Sequence, residues 1–304
     1  MEKVETSAPR FWELGQTMHE LNQKLDGFIS EWRIETTKHS DELAKAGELR
    51  DSLIRQLMAT TSNQGTARNS ITGIANGAVV VQLRKQYLDL VEKVLIGMVN
   101  SDPPLAALGQ TEFDPNSRLL GLDWPKSAFS MIGAARMRNF RVLVEQAIVD
   151  SITGDIVETG VWRGGASMMA KAVIDAYCDT TRRVYLADSF AGLPPPDPEK
   201  YPLDKGLDLH LYEELAISEN EVRTNFGKMG LLDERVITVK GWFRDTMKNF
   251  PAKSIAVLRL DGDLYESTID PLNYLFDRVS PGGWIIVDDY EVFRSEERRV
   301  GKEC

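Results

Sequence analysis

The feature that most constrains the fold is an alternation of short β-branched runs with amphipathic segments, beginning at about residue 130. The runs predict strands, and the segments between them predict helices. This alternation is typical of an α/β fold in which helices cover both faces of a parallel sheet. The predicted strands are 155–158, 184–188, 236–240, 255–261 and 284–289, and the predicted helices are 166–177, 218–229 and 267–279.

Residues 1–60 predict a helical extension ahead of that domain. Apolar side chains recur there in alternating steps of four and three, which is a heptad seam, although polar residues interrupt it at 35, 39 and 42. A short coiled coil or helical hairpin and an amphipathic helix lying on the domain are all open interpretations. The seam predicts a homo-oligomer, formed through this extension, or attachment to a partner domain. The seam consists of Leu14, Met18, Leu21, Leu25, Phe28 and Trp32.

Two further segments differ in composition from the predicted domain. Residues 61–81 are rich in Ser, Thr, Asn and Gly, which indicates a linker. A helix is predicted from residue 83, where apolar side chains share one face as far as residue 98. Residues 294–304 are polar and unpatterned, and we interpret them as an added or read-through tail outside the fold.

Composition excludes several classes of protein. The net charge of -10 argues against a general nucleic-acid-binding surface, because phosphate neutralisation needs an excess of Lys and Arg. Cys178 and Cys304 cannot form a disulfide framework or a CxxC metal pair. We find no signal-peptide pattern and no apolar run long enough to span a bilayer. We therefore expect a cytoplasmic protein with neither nucleic-acid nor membrane partners.

Four of the five predicted strands end in an acidic residue, and ligands of parallel sheets bind at the carboxyl ends of strands. The loop after the first strand, ETGVWRGG at 158–165, has glycines that allow a tight turn and a close backbone approach. It is typical of nucleotide-type Rossmann folds, with a simple tight connection as the alternative. Asp188 ends the second strand and could bind ribose hydroxyls, with a helix N-cap as the alternative.

Carboxylates also end the fourth and fifth strands, at Asp261, Asp263, Asp288 and Asp289. If these strands are neighbours, the like charges crowd one edge of the sheet, which is costly unless something neutralises them. Carboxylate oxygens are ligands that Mg²⁺ prefers. The sequence therefore predicts a magnesium site, with caps and turn residues as the alternative.

Seven segments together resemble the TylF-type macrocin O-methyltransferases, which act on sugar hydroxyls of macrolide and aminocoumarin antibiotics. The resemblance covers about residues 82–293 and implies a Rossmann-like class I S-adenosylmethionine-dependent methyltransferase fold. It also implies further C-terminal strands, which we expect this chain to lack. The segments are SMIG (130–133), ETGVWRGG (158–165), ADSFAGLPPPD (187–197), LAIS (215–218), KGWFRDT (240–246), LRLDGDLYEST (258–268) and GGWIIVDDY (282–290).

The resemblance implies S-adenosylmethionine and Mg²⁺ as cofactors and assigns residues to each. Asp261, Asp288 and Asp289 match the family's magnesium ligands, and Asp261 also matches the position proposed as general base. The residues expected to bind S-adenosylmethionine are Ser130, Met131, Ile132, Glu158, Thr159, Gly160, Val161, Trp162, Asp188, Ser189, Gly241 and Trp242.

These assignments predict a magnesium-dependent O-methyltransferase whose acceptor is a hydroxyl on a natural-product sugar or a glycan. Methyl transfer is an in-line displacement, so the protein must align oxygen, carbon and sulfur. A carboxylate can take the hydroxyl proton. The proline-rich loop 192–212 predicts a lid over the substrate. Two alternatives are a catechol-like acceptor and a non-catalytic S-adenosylmethionine-binding module.

Overall fold

The computed structural model describes residues 67–288 and the short strand 298–299. The predicted helical extension of residues 1–60 and the predicted metal ligand Asp289 lie outside the described residues. Helix α1 spans Ala67–Leu95, so residues 67–81 are helical where their composition indicates a linker. Once the apolar segment has formed a helix, each residue added to its end gains a backbone hydrogen bond. The helix can therefore extend into a segment of small polar residues.

The remaining elements follow the predicted alternation of strands and helices. The helices are α2 Pro115–Leu120, α3 Gly133–Val149, α4 Gly165–Ala176, α5 Glu219–Lys228, α6 Phe243–Thr246 and α7 Tyr265–Leu275. The strands are β1 Asp155–Thr159, β2 Val184–Asp188, β3 Val236–Lys240, β4 Ile255–Leu260, β5 Val279–Val287 and β6 Arg298–Arg299.

The sheet has the strand order β3-β2-β1-β4-β5-β6, in which β1 to β5 are parallel and β6 is antiparallel to β5. The predicted parallel α/β sheet is therefore confirmed. Strand β1 lies between β2 and β4, because the chain winds outward to β3 and then returns to the other side. This reversal creates a crevice at the carboxyl ends of β1 and β4, where ligands of such sheets bind.

Strand β5 begins at Val279, five residues before the predicted start at 284. Pro281 and two glycines in this stretch resemble a turn in the sequence. In the structure the register with β4 shifts between Ile255 and Val257, and Gly282 has a φ of 82°. A bulge accommodates the turn-like residues without ending the strand.

The core has two parts, one on each face of the sheet, because successive side chains of a strand point in opposite directions. Ile156 of β1 joins an apolar cluster with residues of α1, α3, α4 and α5. Its neighbour Val157 joins a second cluster with Phe250 and Leu275. The described residues 80–288 belong to one compact unit. Among the described residues, no helix is both long enough and apolar enough to cross a bilayer.

Candidate active site

A cavity of about 300 Å³ lies at the carboxyl ends of the parallel strands. Its volume is at the lower end of the range for small-molecule sites. It occupies the crevice that the strand order creates, so the fold and the cavity indicate the same site. The predicted site residues that line it are Ser130, Met131, Ile132, Glu158, Gly160, Val161, Trp162, Asp188, Ser189, Gly241, Trp242 and Asp261.

Two of the predicted site residues that the structure describes, Thr159 and Asp288, do not line the cavity. Thr159 is fully buried, because alternation along β1 points its side chain away from the face that Glu158 presents. Its carbonyl oxygen accepts a 2.8 Å hydrogen bond from the Asp261 backbone N–H, so Thr159 positions the end of β4. The buried carboxylate of Asp288 contacts Arg136 and Arg259. Asp289 is outside the described residues.

Gly160 allows the loop after β1 to touch the end of β4. Its φ is 84°, in the region that favours glycine, and a Cβ placed there would lie 1.6 Å from the Asp261 carbonyl oxygen. No other residue fits without moving one of the two backbones. The predicted close backbone approach is therefore present, and its partner is the strand that carries Asp261.

The carboxylate of Asp188 ties the β1 loop to the end of β2. Its oxygens accept hydrogen bonds of 2.7 Å from the backbone N–H groups of both Val161 and Phe190. Burial raises the pKa of Asp188, and these two hydrogen bonds partly offset that effect. Residues 189–201 form a loop, so the alternative interpretation of Asp188 as a helix N-cap is wrong. Its binding to ribose stays a prediction.

Arg259 neutralises the carboxylates at the strand ends. It is 1% exposed and lies opposite Glu158 in the pairing of β1 with β4. Its Nη1 lies 2.5 Å from Glu158 Oε1 and 2.8 Å from Asp261 Oδ2, and its Nη2 lies 2.7 Å from Asp288 Oδ1. The second oxygen of Glu158 accepts a hydrogen bond from Ser167 Oγ. One guanidinium therefore holds three carboxylates together.

A second arginine, Arg136, joins the predicted cofactor-closing segment to β5. Its Nη1 lies 2.6 Å from Asp288 Oδ2, and its Nε donates a 2.8 Å hydrogen bond to the Ile132 carbonyl oxygen. Burial acts to raise the pKa of Asp288, but Arg259 and Arg136 outweigh it and hold that pKa below its ordinary value. Asp288 is therefore an ionised carboxylate neutralised by arginines.

The arginines bear directly on the predicted magnesium site. Carboxylate oxygens are the right donors for a hard cation. However, Asp261 and Asp288 both contact Arg259, and the described part of the chain contains no cluster of three or more acidic, His or Cys residues that could hold a metal ion. The arginines thus supply the neutralisation for which the sequence argument invoked a cation. Magnesium stays a prediction.

Three of the six described non-glycine residues with positive φ lie in loops beside the cavity. Trp162, Phe190 and Asp263 have φ angles of 45°, 54° and 60°, which are uncommon for residues other than glycine. Such residues cluster at functional sites. Burial, together with the charges of Asp261 and Asp288, raises the pKa of Asp263 to about 7. The loop that carries Asp261 therefore includes a residue of strained backbone, Asp263, whose carboxyl group lies close to other carboxylates.

The predicted lid lies against the cavity and is fixed at several points. Leu193, Pro194 and Leu209 of the lid line the cavity, and so does Leu215, which lies just after it. The Trp162 indole N–H donates a 2.9 Å hydrogen bond to the Glu214 carbonyl oxygen. The loop is thus a wall of the site in this structure.

Asp204 anchors the same loop to α7. It is 1% exposed, and its carboxylate accepts hydrogen bonds from the backbone N–H groups of Tyr265 at 2.6 Å and Glu266 at 3.3 Å. The loop therefore contacts the first turn of the helix that follows Asp261.

The comparison with known families shows to which family the chain belongs. The model of the macrocin O-methyltransferase (TylF) family matches residues 74–302. The chain belongs to this family. It is accordingly an S-adenosylmethionine-dependent O-methyltransferase. The match extends to residue 302, so it includes most of the segment that the sequence analysis interprets as a tail.

Three curated relatives are similar in sequence. One is the 8-demethyl-8-(2,3-dimethoxy-alpha-L-rhamnosyl)-tetracenomycin-C 4'-O-methyltransferase of Streptomyces olivaceus, 46% identical, with 69% of this chain and 81% of that protein covered. The demethyldecarbamoylnovobiocin O-methyltransferase of Streptomyces niveus is also 46% identical, covering 67% and 79%. The mycinamicin III 3''-O-methyltransferase of Micromonospora griseorubida is 41% identical, covering 67% and 82%.

A solved structure of the family has the same fold. The structure of the O-methyltransferase NovP is 45% identical and has a TM-score of 0.66, with 68% of this chain and 85% of that chain covered. The predicted class I methyltransferase fold is confirmed by this likeness.

Sequence reasoning missed Arg136, Asp204 and Arg259. For Arg259 a signal was available, because an arginine interrupts the apolar run of β4 two positions before Asp261. Residues two apart on a strand share a face, and a buried arginine needs carboxylate partners. Arg136 and Asp204 carried no comparable signal, because their partners are distant in sequence.

Proposed function

We propose that the protein transfers the methyl group of S-adenosylmethionine to a hydroxyl on a sugar of a natural product. The observation that carries this proposal is the contact of the β1 loop with the end of β4, which brings Asp261 to the cavity. The printed names of the three relatives support a sugar-bearing acceptor, since they refer to a rhamnosyl tetracenomycin, a novobiocin precursor and mycinamicin III.

The cofactor would lie along the strand ends. The β1 loop, with Glu158, Gly160, Val161 and Trp162, would hold the methionine part, and Asp188 and Ser189 would bind the ribose. The adenine would lie near Gly241 and Trp242, and residues 130–132 would close over the cofactor. All of these residues line one continuous cavity. Thr159 would contribute through its backbone, which holds the end of β4 in place.

Asp261 would act as the general base. The acceptor oxygen attacks the methyl carbon, the carbon–sulfur bond breaks and its electron pair returns to sulfur, giving S-adenosylhomocysteine. The hydroxyl proton passes to the Asp261 carboxylate, whose side chain is 22% exposed in the cavity. Arg259 restrains this carboxylate at 2.8 Å and is itself fixed by Glu158. The proximity of base and cofactor loop is what the in-line geometry requires.

Magnesium forms a further part of the proposal. Asp261 and Asp288, with Asp289 beyond the described residues, would supply carboxylate oxygens to it. Bound Mg²⁺ would lower the pKa of an acceptor hydroxyl. The three contacts that Arg259 and Arg136 make with these carboxylates would have to rearrange to free those oxygens, which is the energetic cost of this part of the proposal. Self-association through residues 1–60 and a cytoplasmic location stay predictions.

The test is methyl transfer from isotope-labelled S-adenosylmethionine to mycinamicin III, demethyldecarbamoylnovobiocin and the rhamnosyl tetracenomycin, with catechol as a competing acceptor. We expect label on a sugar hydroxyl. Asp261→Asn should lower kcat by at least about a hundredfold, because a lost general base costs that much, and should leave the affinity for S-adenosylhomocysteine within about threefold.

Asp277→Asn, which alters an exposed carboxylate away from the cavity, is the matched control and should retain activity. Full activity of Asp261→Asn would remove this residue from the mechanism, and label found only on catechol would favour the alternative acceptor. Dialysis against a chelator should abolish transfer and Mg²⁺ should restore it. Transfer that survives chelation would remove the metal from the proposal.

A further inference from the structure

The cavity has two chemically different walls beside the predicted cofactor residues. The lid, the residues just after it and the segment near residue 124 supply apolar side chains, among them Leu193, Leu215 and Trp124. The first turns of α6 and α7 supply Arg244 and Glu266, and Asp270 lies further along α7. Because the loop that carries Asp261 leads into α7, the charged wall and the proposed base line the same cavity.

Glu266 belongs to this wall, and its carboxylate accepts no hydrogen bond from the described part of the protein. It is 9% exposed. The nearest cation is Arg244, whose Nη1 lies 3.8 Å from Glu266 Oε1, beyond hydrogen-bond distance. The Glu266 oxygens are not among the fully buried unpartnered atoms of the described residues, so they keep some accessible surface. Its open side is the cavity.

The backbone of Glu266 is fixed independently of its side chain. Its N–H donates to Asp204, which anchors the lid, and the residue belongs to the first turn of α7. The carboxylate therefore extends from a fixed backbone into the cavity that Asp261 also lines. A hydrogen-bond acceptor in such a place selects the orientation of a ligand that carries donors.

We propose that Glu266 accepts a hydrogen bond from a second hydroxyl of the acceptor sugar, next to the one that is methylated. This inference rests on the proposed function and narrows it, because the acceptor ring must carry at least two hydroxyls. The hydrogen bond from that hydroxyl uses the carboxylate surface that faces the cavity, and it sets which oxygen faces Asp261. Glu266 is thus a specificity-determining residue, and the apolar wall is left for the less polar part of the acceptor.

An acidic residue in the first turn of a helix also stabilises the helix, so the test must separate the two effects. Glu221 occupies the first turn of α5, is exposed and does not line the cavity, which makes Glu221→Gln the matched control. Glu266→Met removes both acceptor oxygens at similar length, and Glu266→Gln keeps one. Thermal unfolding of each variant reports the helix effect alone.

The experiment measures binding of methyl α-L-rhamnopyranoside and its monodeoxy analogues to the full chain loaded with S-adenosylhomocysteine, and kcat/KM with the three acceptors above. Glu266→Met should weaken rhamnoside binding by at least about tenfold, with a smaller loss for Glu266→Gln. One deoxy analogue should bind the wild type weakly and lose nothing further in Glu266→Met, because both changes remove the same hydrogen bond.

The outcomes separate this inference from the proposed function. Equal rhamnoside affinity and equal kcat/KM in the wild type and Glu266→Met, with sugar methylation intact, would overturn the role of Glu266 and leave the function standing. A wild type that binds S-adenosylhomocysteine but neither binds the rhamnoside nor methylates any of the sugar acceptors would overturn both. Full penalties in Glu266→Met for every deoxy analogue would show that no single hydroxyl meets it, which also overturns the inference.

Discussion

Asp233 is the residue whose electrostatics give the clearest effect on stability. Its Oδ2 lies 3.0 Å from Nζ of the buried Lys171 and 2.6 Å from Arg235 Nη2. Partial burial acts to raise the pKa of Asp233, but the bonds from Arg235 and Lys171 outweigh it and lower the pKa to about 2. Because the folded pKa is below the unfolded value, the stabilisation is present above about pH 4 and is lost as pH falls through about 2.

Asp233→Asn should therefore lower the free energy of unfolding at neutral pH by about 1 kcal/mol, since solvent screens this partly exposed group. Its stability should also vary less than that of the wild type between about pH 4 and pH 2. Urea unfolding at a series of pH values measures both, with Asp277→Asn as a control that should match the wild type. A parallel loss of stability in the wild type and Asp233→Asn over this range would contradict the assignment.

At the same scale, some site residues could be predicted from the sequence because their requirements are local. Gly160 follows from the need for a close backbone approach after a strand, and Asp188 from its place at a strand end. The contact of Arg259 with Glu158 depends on β4 being the neighbour of β1, which the sequence does not state. For that reason the charge of the carboxylates suggested a cation, whereas the structure shows two arginines beside them.

At the scale of elements, α7 depends on the lid for its N-terminal cap. Leu264 occupies the cap position and supplies no side-chain hydrogen bond, while Asp204 accepts from the first two N–H groups of the helix. Asp204→Ala should lower the free energy of unfolding by about 1 kcal/mol, as the loss of a cap does. It should also raise KM for the sugar acceptor more than it changes kcat, because the lid and Glu266 both lose their anchor.

Asp114→Ala is the matched control for this prediction. Asp114 caps α2 through the N–H groups of Asn116 and Ser117, and it does not line the cavity. Its loss should cost similar stability and leave KM for the acceptor unchanged. Steady-state kinetics measures KM for the acceptor in both variants, and thermal unfolding measures their stability. An unchanged KM in Asp204→Ala would show that the lid does not need this anchor.

Most elements could be predicted because their signals are periodic. Strands β2 and β3 have the predicted bounds, and α4 and α5 differ from the predicted ranges by one residue at each end. The start of β5 could not be predicted, since a proline and two glycines within a bulge resemble a turn. The cap that Asp204 provides joins residues 61 positions apart, and no local pattern reports such a contact.

At the scale of the whole molecule, the strand order explains why one cavity gathers residues from so many segments. After β3 the chain crosses back and forms β4 on the other side of β1, which opens a crevice between the ends of β1 and β4. The loops after β1, β2, β3 and β4 all line the cavity in this crevice. The alternation of strands and helices predicts the parallel sheet and the edge at which ligands bind. The sequence does not predict the order of the strands. That order determines which residues surround Asp261.

The central claim is that this crevice holds S-adenosylmethionine, and calorimetric titration of the full chain with S-adenosylhomocysteine tests it most directly. The account predicts saturable binding at one site per chain, both in the wild type and in Asp261→Asn. Circular dichroism of the same samples establishes that the chain is folded. A folded chain that shows no binding of S-adenosylhomocysteine would contradict the account.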